Sequence, residues 1–115
     1  MNILNLEDEK FKTETIQGYK FRLRYISPLD RVNITRERII LQGGQPVEAL
    51  TADDYTFFEN VAIVNTCVDQ MPDGFKENES CVKWNEISLI YDVAEAIKRH
   101  TADIEAKLKK NRLTE

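Results

Sequence analysis

The sequence predicts a mainly α-helical fold, with a short N-terminal β-strand or hairpin followed by three helices, the last long and amphipathic. Three observations predict it. Residues 19–25 alternate between aromatic or aliphatic and basic side chains, a period of two that marks a half-buried strand. Two helix-start signals, Ser27-Pro28-Leu29-Asp30 and Thr51-Ala52-Asp53-Asp54, each precede an apolar periodic run. Finally, Ile87, Ile90, Ala94, Ile97, Thr101, Ile104 and Leu108 recur at alternating spacings of three and four, a heptad seam.

Residues 1–13 are polar and acidic with scattered apolar positions, and they read as a flexible acidic N-terminal arm. Residues 14–115 read as a single α-rich domain with a C-terminal helical extension. Alternation begins near Glu14. Tyr19, Phe21, Leu23 and Tyr25 point one way, and Lys20, Arg22 and Arg24 the other. Gly18 marks a turn able to fold residues 11–17 back as a hairpin partner. Ser27 then caps a helix, Pro28 suits its first position, and Asp30 reaches back in a variant of the capping box. Leu29, Val32, Ile39 and Ile40 form its apolar stripe, with Arg31, Arg36 and Arg38 exposed. Gly43-Gly44 ends it, and Pro46 blocks continuation.

Thr51 caps the next helix, and Asp53 and Asp54 favour its positive end. Tyr55, Phe58, Ala62, Asn65 and Val68 recur at helical spacing, widened by Phe57, Val61 and Val64. Apolar over much of its girth, the helix over 52–69 is predicted to be central. Met71-Pro72-Asp73-Gly74 breaks it. A polar loop follows through Ser80, and the bulk of Trp84 is expected to clamp that loop onto the core. The last helix is predicted from about 85 to about 111 as one continuous element. Thr101-Ala102-Asp103 offers a restart after a kink as the alternative.

The totals narrow the function. The chain of 115 residues suits one domain, and 42% hydrophobic with 31% charged residues is globular composition. A net charge of −4 and a pI near 5.1 argue against a nucleic-acid partner, since neutralising phosphates needs a cationic surplus. No apolar run reaches the ~20 residues that span a bilayer, so no membrane partner is expected. The first residues lack a basic, then apolar, leader, and the expected location is the cytoplasm. Cys67 and Cys81 read as free thiols in preference to a disulfide.

Chemistry is sparse. His100, the one histidine, follows Arg99 on a charged helix and reads as a surface residue. Cys67 lacks a credible base nearby, and Gly43-Gly44 is not followed by the Lys of a phosphate loop. No acidic loop has calcium-site spacing. Arg31, Arg36 and Arg38 read as a solvated face, with phosphate contact as the alternative. No catalytic, cofactor or metal residues are assigned; the expectation is a protein that is not an enzyme and carries no cofactor.

The tail of the last helix is the exception. Past Ile97 the seam narrows to Thr101, Ile104 and Leu108 flanked by charge. Burying Ile104 and Leu108 would contribute ~1.5–3 kcal/mol each, through another surface. Ile97, Thr101, Ile104 and Leu108 are therefore the candidate protein-binding residues, either for another copy of the chain in a homo-oligomer or for a different protein. A frayed terminus is the alternative.

An aromatic alternating strand leading into Tyr25-Ile26-Ser27-Pro28-Leu29-Asp30-Arg31, a buried helix with Phe57-Phe58-Glu59-Asn60-Val61-Ala62, a Pro/Gly loop, Trp84 and a charged terminal helix together resemble the tail assembly chaperones of long-tailed bacteriophages. The resemblance covers most of residues 16–110 as a pattern. It implies a mainly helical fold, self-association, coating of the helical tape measure protein, recruitment of tail tube subunits, and residence in the host cytoplasm. It carries no residue-level site. A structural head–tail connector or tail subunit, and a small nucleic-acid-binding regulator, are the rival readings.

Overall fold

The computed structural model describes residues 9–77 and 79–114. The first elements are two antiparallel strands, β1 (Phe11–Ile16) and β2 (Tyr19–Arg24), in a register that pairs Ile16 with Tyr19 and Phe11 with Arg24. Gln17 and Gly18 join them, both with positive φ, 51° and 83°. That mirror-image turn matches the twist of the flanking strands. Gln17 adopts the costlier geometry for a residue with a side chain, and its Nε2 donates to Asp92 Oδ2 at 2.8 Å, anchoring the hairpin tip to the last helix. The hairpin predicted from Gly18 is therefore present, and it begins earlier than the predicted domain boundary. Phe11, Lys12 and Thr13 belong to β1 rather than to a flexible arm. Residues 1–8, the remainder of that arm but for Glu9 and Lys10, lie outside the described residues.

Ser27 caps helix α1 (Pro28–Leu41) with both halves of the capping box: its side chain accepts from the Asp30 N–H, and Asp30 accepts from the Ser27 N–H. Gly43, at φ 64°, follows the helix end. Helix α2 (Ala52–Cys67) starts where the Thr51 side chain accepts from the Asp54 N–H at 3.0 Å. Five consecutive α2 residues, Asn60 to Val64, are buried, so this stretch is surrounded on all sides, as predicted for the central helix. α2 ends at Cys67, short of the predicted end, because the chain goes straight into a third strand, β3 (Val68–Gln70). β3 pairs antiparallel with β2, giving the order β1-β2-β3 with a bulge between Arg22 and Leu23.

The last helix, α3 (Ile87–Thr114), runs 28 residues without a break, about 42 Å at the usual helical rise. The core lies where α2, α3 and β2 meet. Phe21 and Leu23 from β2, Val61, Val64 and Cys67 from α2, and Ile90, Val93 and Ile97 from α3 are all fully buried within it. Trp84 does clamp the loop: its ring lies 5.8 Å from Phe21 and perpendicular to Phe75 at 5.3 Å. Asn65 ties the same loop to α2, its Oδ1 accepting from the Cys81 N–H at 2.8 Å and its Nδ2 donating to Ser80 Oγ at 2.8 Å.

Candidate protein-docking surface

The middle of the α3 seam, Ile90 to Ile104, is spent inside the chain. Ile97 is 0%, Thr101 4% and Ile104 1% exposed, and Leu108 is half-buried. Thr101 Oγ1 donates to the Ile97 carbonyl and accepts from the Ile26 N–H, each at 2.8 Å. It is a clip between α3 and the chain leaving β2, and α3 does not restart there. The expectation that Ile97, Thr101, Ile104 and Leu108 form a docking stripe is therefore corrected for the first three. A side chain already removed from water has no apolar area left to offer a partner. Ile87, the first seam position, stands at 58% exposure and contributes little to the core.

The N-terminal segment contributes to this closure. His100 is buried, not a surface residue, and its Nε2 lies 3.1 Å from the Lys10 carbonyl. Lys107 Nζ donates to Glu9 Oε2 at 2.8 Å, and Arg99 Nη2 to Glu14 Oε2 at 3.2 Å. Three contacts thus run from β1 and the residues before it along α3.

The apolar surface lies elsewhere. On α1, Leu29 is 68%, Val32 47%, Ile39 52% and Ile40 72% exposed. At 100° per residue these positions, with Arg36, occupy one face; Asp30, Ile34 and Leu41 occupy the opposite one, which packs inward. The predicted stripe is real, but it faces solvent. The reason is Asp30. Its Oδ1 accepts from Arg24 Nη2 at 2.6 Å, and its Oδ2 from Arg24 Nε at 3.3 Å and from the Ser27 N–H at 3.1 Å. Burial by itself would raise the Asp30 pKa; the Arg24 and Ser27 hydrogen bonds outweigh it and hold the carboxyl below its ordinary range. Those bonds to Asp30 raise the Arg24 pKa against the opposing effect of burial. Arg24 Nη2 also donates to the Thr66 carbonyl at 2.8 Å, which fixes the start of α1 against the end of α2. With Asp30 turned inward, Leu29 and Val32 must turn out.

The three α1 arginines do not act together. Arg38 is nearly covered, paired with Glu59 at 3.3 Å and stacked 4.8 Å over the Tyr55 ring. Arg31 makes a loose, exposed contact to Glu105 at 3.7 Å. Arg36 is exposed and makes no ion pair among the described residues. Beside α1 lies a cleft of about 440 Å³, bounded by Ile26, Arg31, Ile34, Thr35, Ile63 and Lys98. Glu59 also lines it, with its carboxylate engaged by Arg38. A second cleft, about 380 Å³, lies under the loop against Tyr19, Phe75 and Trp84, where Tyr19 meets Phe75 edge to face at 5.0 Å and Phe75 meets Trp84 edge to face at 5.3 Å.

The two cysteine side chains are buried. Burial pushes the Cys67 and Cys81 thiols up to about 12, far from the thiolate that reacts. Both cysteines are free. Among the described residues no three His, Cys, Asp or Glu side chains are grouped to hold a metal ion, and no helix is long and apolar enough to cross a membrane. No family model, no curated protein and no solved structure matches this chain.

Proposed function

We propose that this chain is a non-catalytic protein-binding protein that docks an apolar helix of its partner along the outer face of α1. The observation carrying this reading is the row Leu29, Val32, Ile39 and Ile40, solvent-exposed on a helix whose other face is already packed. Leaving large aliphatic groups in water gains nothing for the monomer. Covering Leu29 and Ile40 would contribute up to about 1.5–3 kcal/mol each. These four positions share one helical face, an apolar strip against which the apolar face of a second helix can pack. The resemblance to phage tail assembly chaperones supplies a biological setting in the host cytoplasm: the partner helix would be a stretch of tape measure protein kept soluble until tail tube subunits arrive.

The test uses a synthetic helix with a continuous leucine face that precipitates by itself. Light scattering is followed with and without the chain. Wild type should keep the peptide in solution, and a Leu29→Asp/Ile40→Asp variant with an unchanged melting curve should not. Equal protection by both proteins, or none by wild type, overturns the reading. Within that reading, a chaperone is absent from purified phage particles and a structural subunit is retained in them, which mass spectrometry separates.

A further inference from the structure

We infer that the partner helix is acidic: an amphipathic helix that sets apolar residues on the α1 row and carboxylates against Arg36 and Lys98. This inference rests on the docking reading of α1 and specifies its partner. By helical spacing Val32 and Ile39 neighbour Thr35 on the surface of α1, and Thr35 lines the cleft together with Ile34, Ile63 and Lys98. Row and cleft therefore adjoin through Thr35, with apolar side chains along both, Lys98 at the cleft edge and Arg36 within the row.

The charge balance there is uneven. Glu59 is engaged by Arg38 and Glu105 by Arg31. Arg36 has no anionic partner among the described residues, and Lys98 Nζ donates only to a neutral group, Asn60 Oδ1, at 3.1 Å. Glu37, the remaining carboxylate on α1 besides Asp30, accepts from Asn65 on the side facing α2; on a chain of net charge −4, Arg36 within the exposed apolar row and Lys98 at the cleft edge therefore select an anionic partner. They also disfavour a second copy of this face. Arg36 sits near the middle of the row, so a two-fold pairing of α1 with α1 would bring the two Arg36 side chains within reach of each other.

The experiment measures binding of the full chain to two labelled synthetic helices with the same leucine face, one carrying glutamates and one lysines at a position within that face and along one of its edges, where Arg36 and Lys98 would meet them. Fluorescence anisotropy is read over a salt series. The glutamate helix should bind about tenfold tighter at low salt, a preference that shrinks as salt screens it. Arg36→Glu should reverse the preference, and Lys98→Gln, which keeps a donor for Asn60, should reduce it. Equal affinity for both helices, with binding still abolished by Leu29→Asp/Ile40→Asp, overturns the acidic-partner inference and leaves the docking reading standing. Binding of neither helix overturns both. Self-association of the wild-type chain that Leu29→Asp/Ile40→Asp abolishes, with neither helix competing, would assign the face to a second copy and overturn the inference.

Discussion

Arg24 and Asp30 form a two-point ion pair, Nη2 to Oδ1 at 2.6 Å and Nε to Oδ2 at 3.3 Å, across the junction between β2 and α1. Asp30 is buried, while Arg24 keeps about a quarter of its side chain in solvent. The pair decides which face of α1 turns outward. Asp30→Ala removes the pair and the cap bonds to Ser27 together, leaving the Arg24 guanidinium without its carboxylate. The expected cost is about 3 kcal/mol in urea unfolding.

The same carboxyl gives the protein an acid dependence. Its pKa is depressed in the folded state, so the unfolded chain binds the proton more readily. Its contribution is fully present above the unfolded value, roughly pH 4, and is lost as pH falls through the lower folded value. Unfolding followed from neutral pH to pH 2 should show wild type converging on Asp30→Asn at the acid end. Parallel curves over that range would contradict the assignment.

Thr101→Val keeps the shape of the side chain and removes the hydroxyl that the buried Ile26 N–H donates to. An orphaned buried donor costs about 1–3 kcal/mol. Thr101→Ser should recover most of that loss. Neither change should alter partner affinity, because the hydroxyl works within the chain.

Cys67 and Cys81, with thiols pushed up to about 12, should be slow toward a thiol reagent at pH 8 in the native protein. Both should react at once in denaturant. Prompt labelling of native Cys81 would mean that the loop held by Asn65 and Trp84 opens freely.

These outcomes follow from features that differ in how openly the sequence carries them. The turn at Gly18, the Ser27 box, the Thr51 cap and the Trp84 clamp are legible because their chemistry is written in a few neighbouring residues or in one large side chain. β3 was not legible. Val68-Asp69-Gln70 is too short for a periodic signal, and it exists only because β2 lies alongside. The burial of His100 was half legible: it falls three residues after Ile97 and four before Ile104, on the seam side, but its charged neighbours suggested solvent. The orientation of α1 was hidden most completely. Leu29, Val32, Ile39 and Ile40 were visible as a stripe. The rule that apolar residues turn inward failed because a buried, compensated aspartate occupies the inward face instead, and its partner Arg24 sits on a different element. The exposed apolar row therefore lies on α1, while Ile97 and Ile104 of α3 are buried.

The central claim is that α1 docks and α3 packs, and two double variants measured side by side test it most directly. Leu29→Asp/Ile40→Asp should melt within about 2 °C of wild type and lose binding to the leucine-faced helix, because exposed substitutions change stability little. Ile97→Asp/Ile104→Asp should unfold the domain or lower its melting temperature steeply, because it places carboxylates in positions that are 0% and 1% exposed. A folded Ile97→Asp/Ile104→Asp protein that has lost binding, beside a Leu29→Asp/Ile40→Asp protein that still binds, would return the docking role to α3 and contradict the claim.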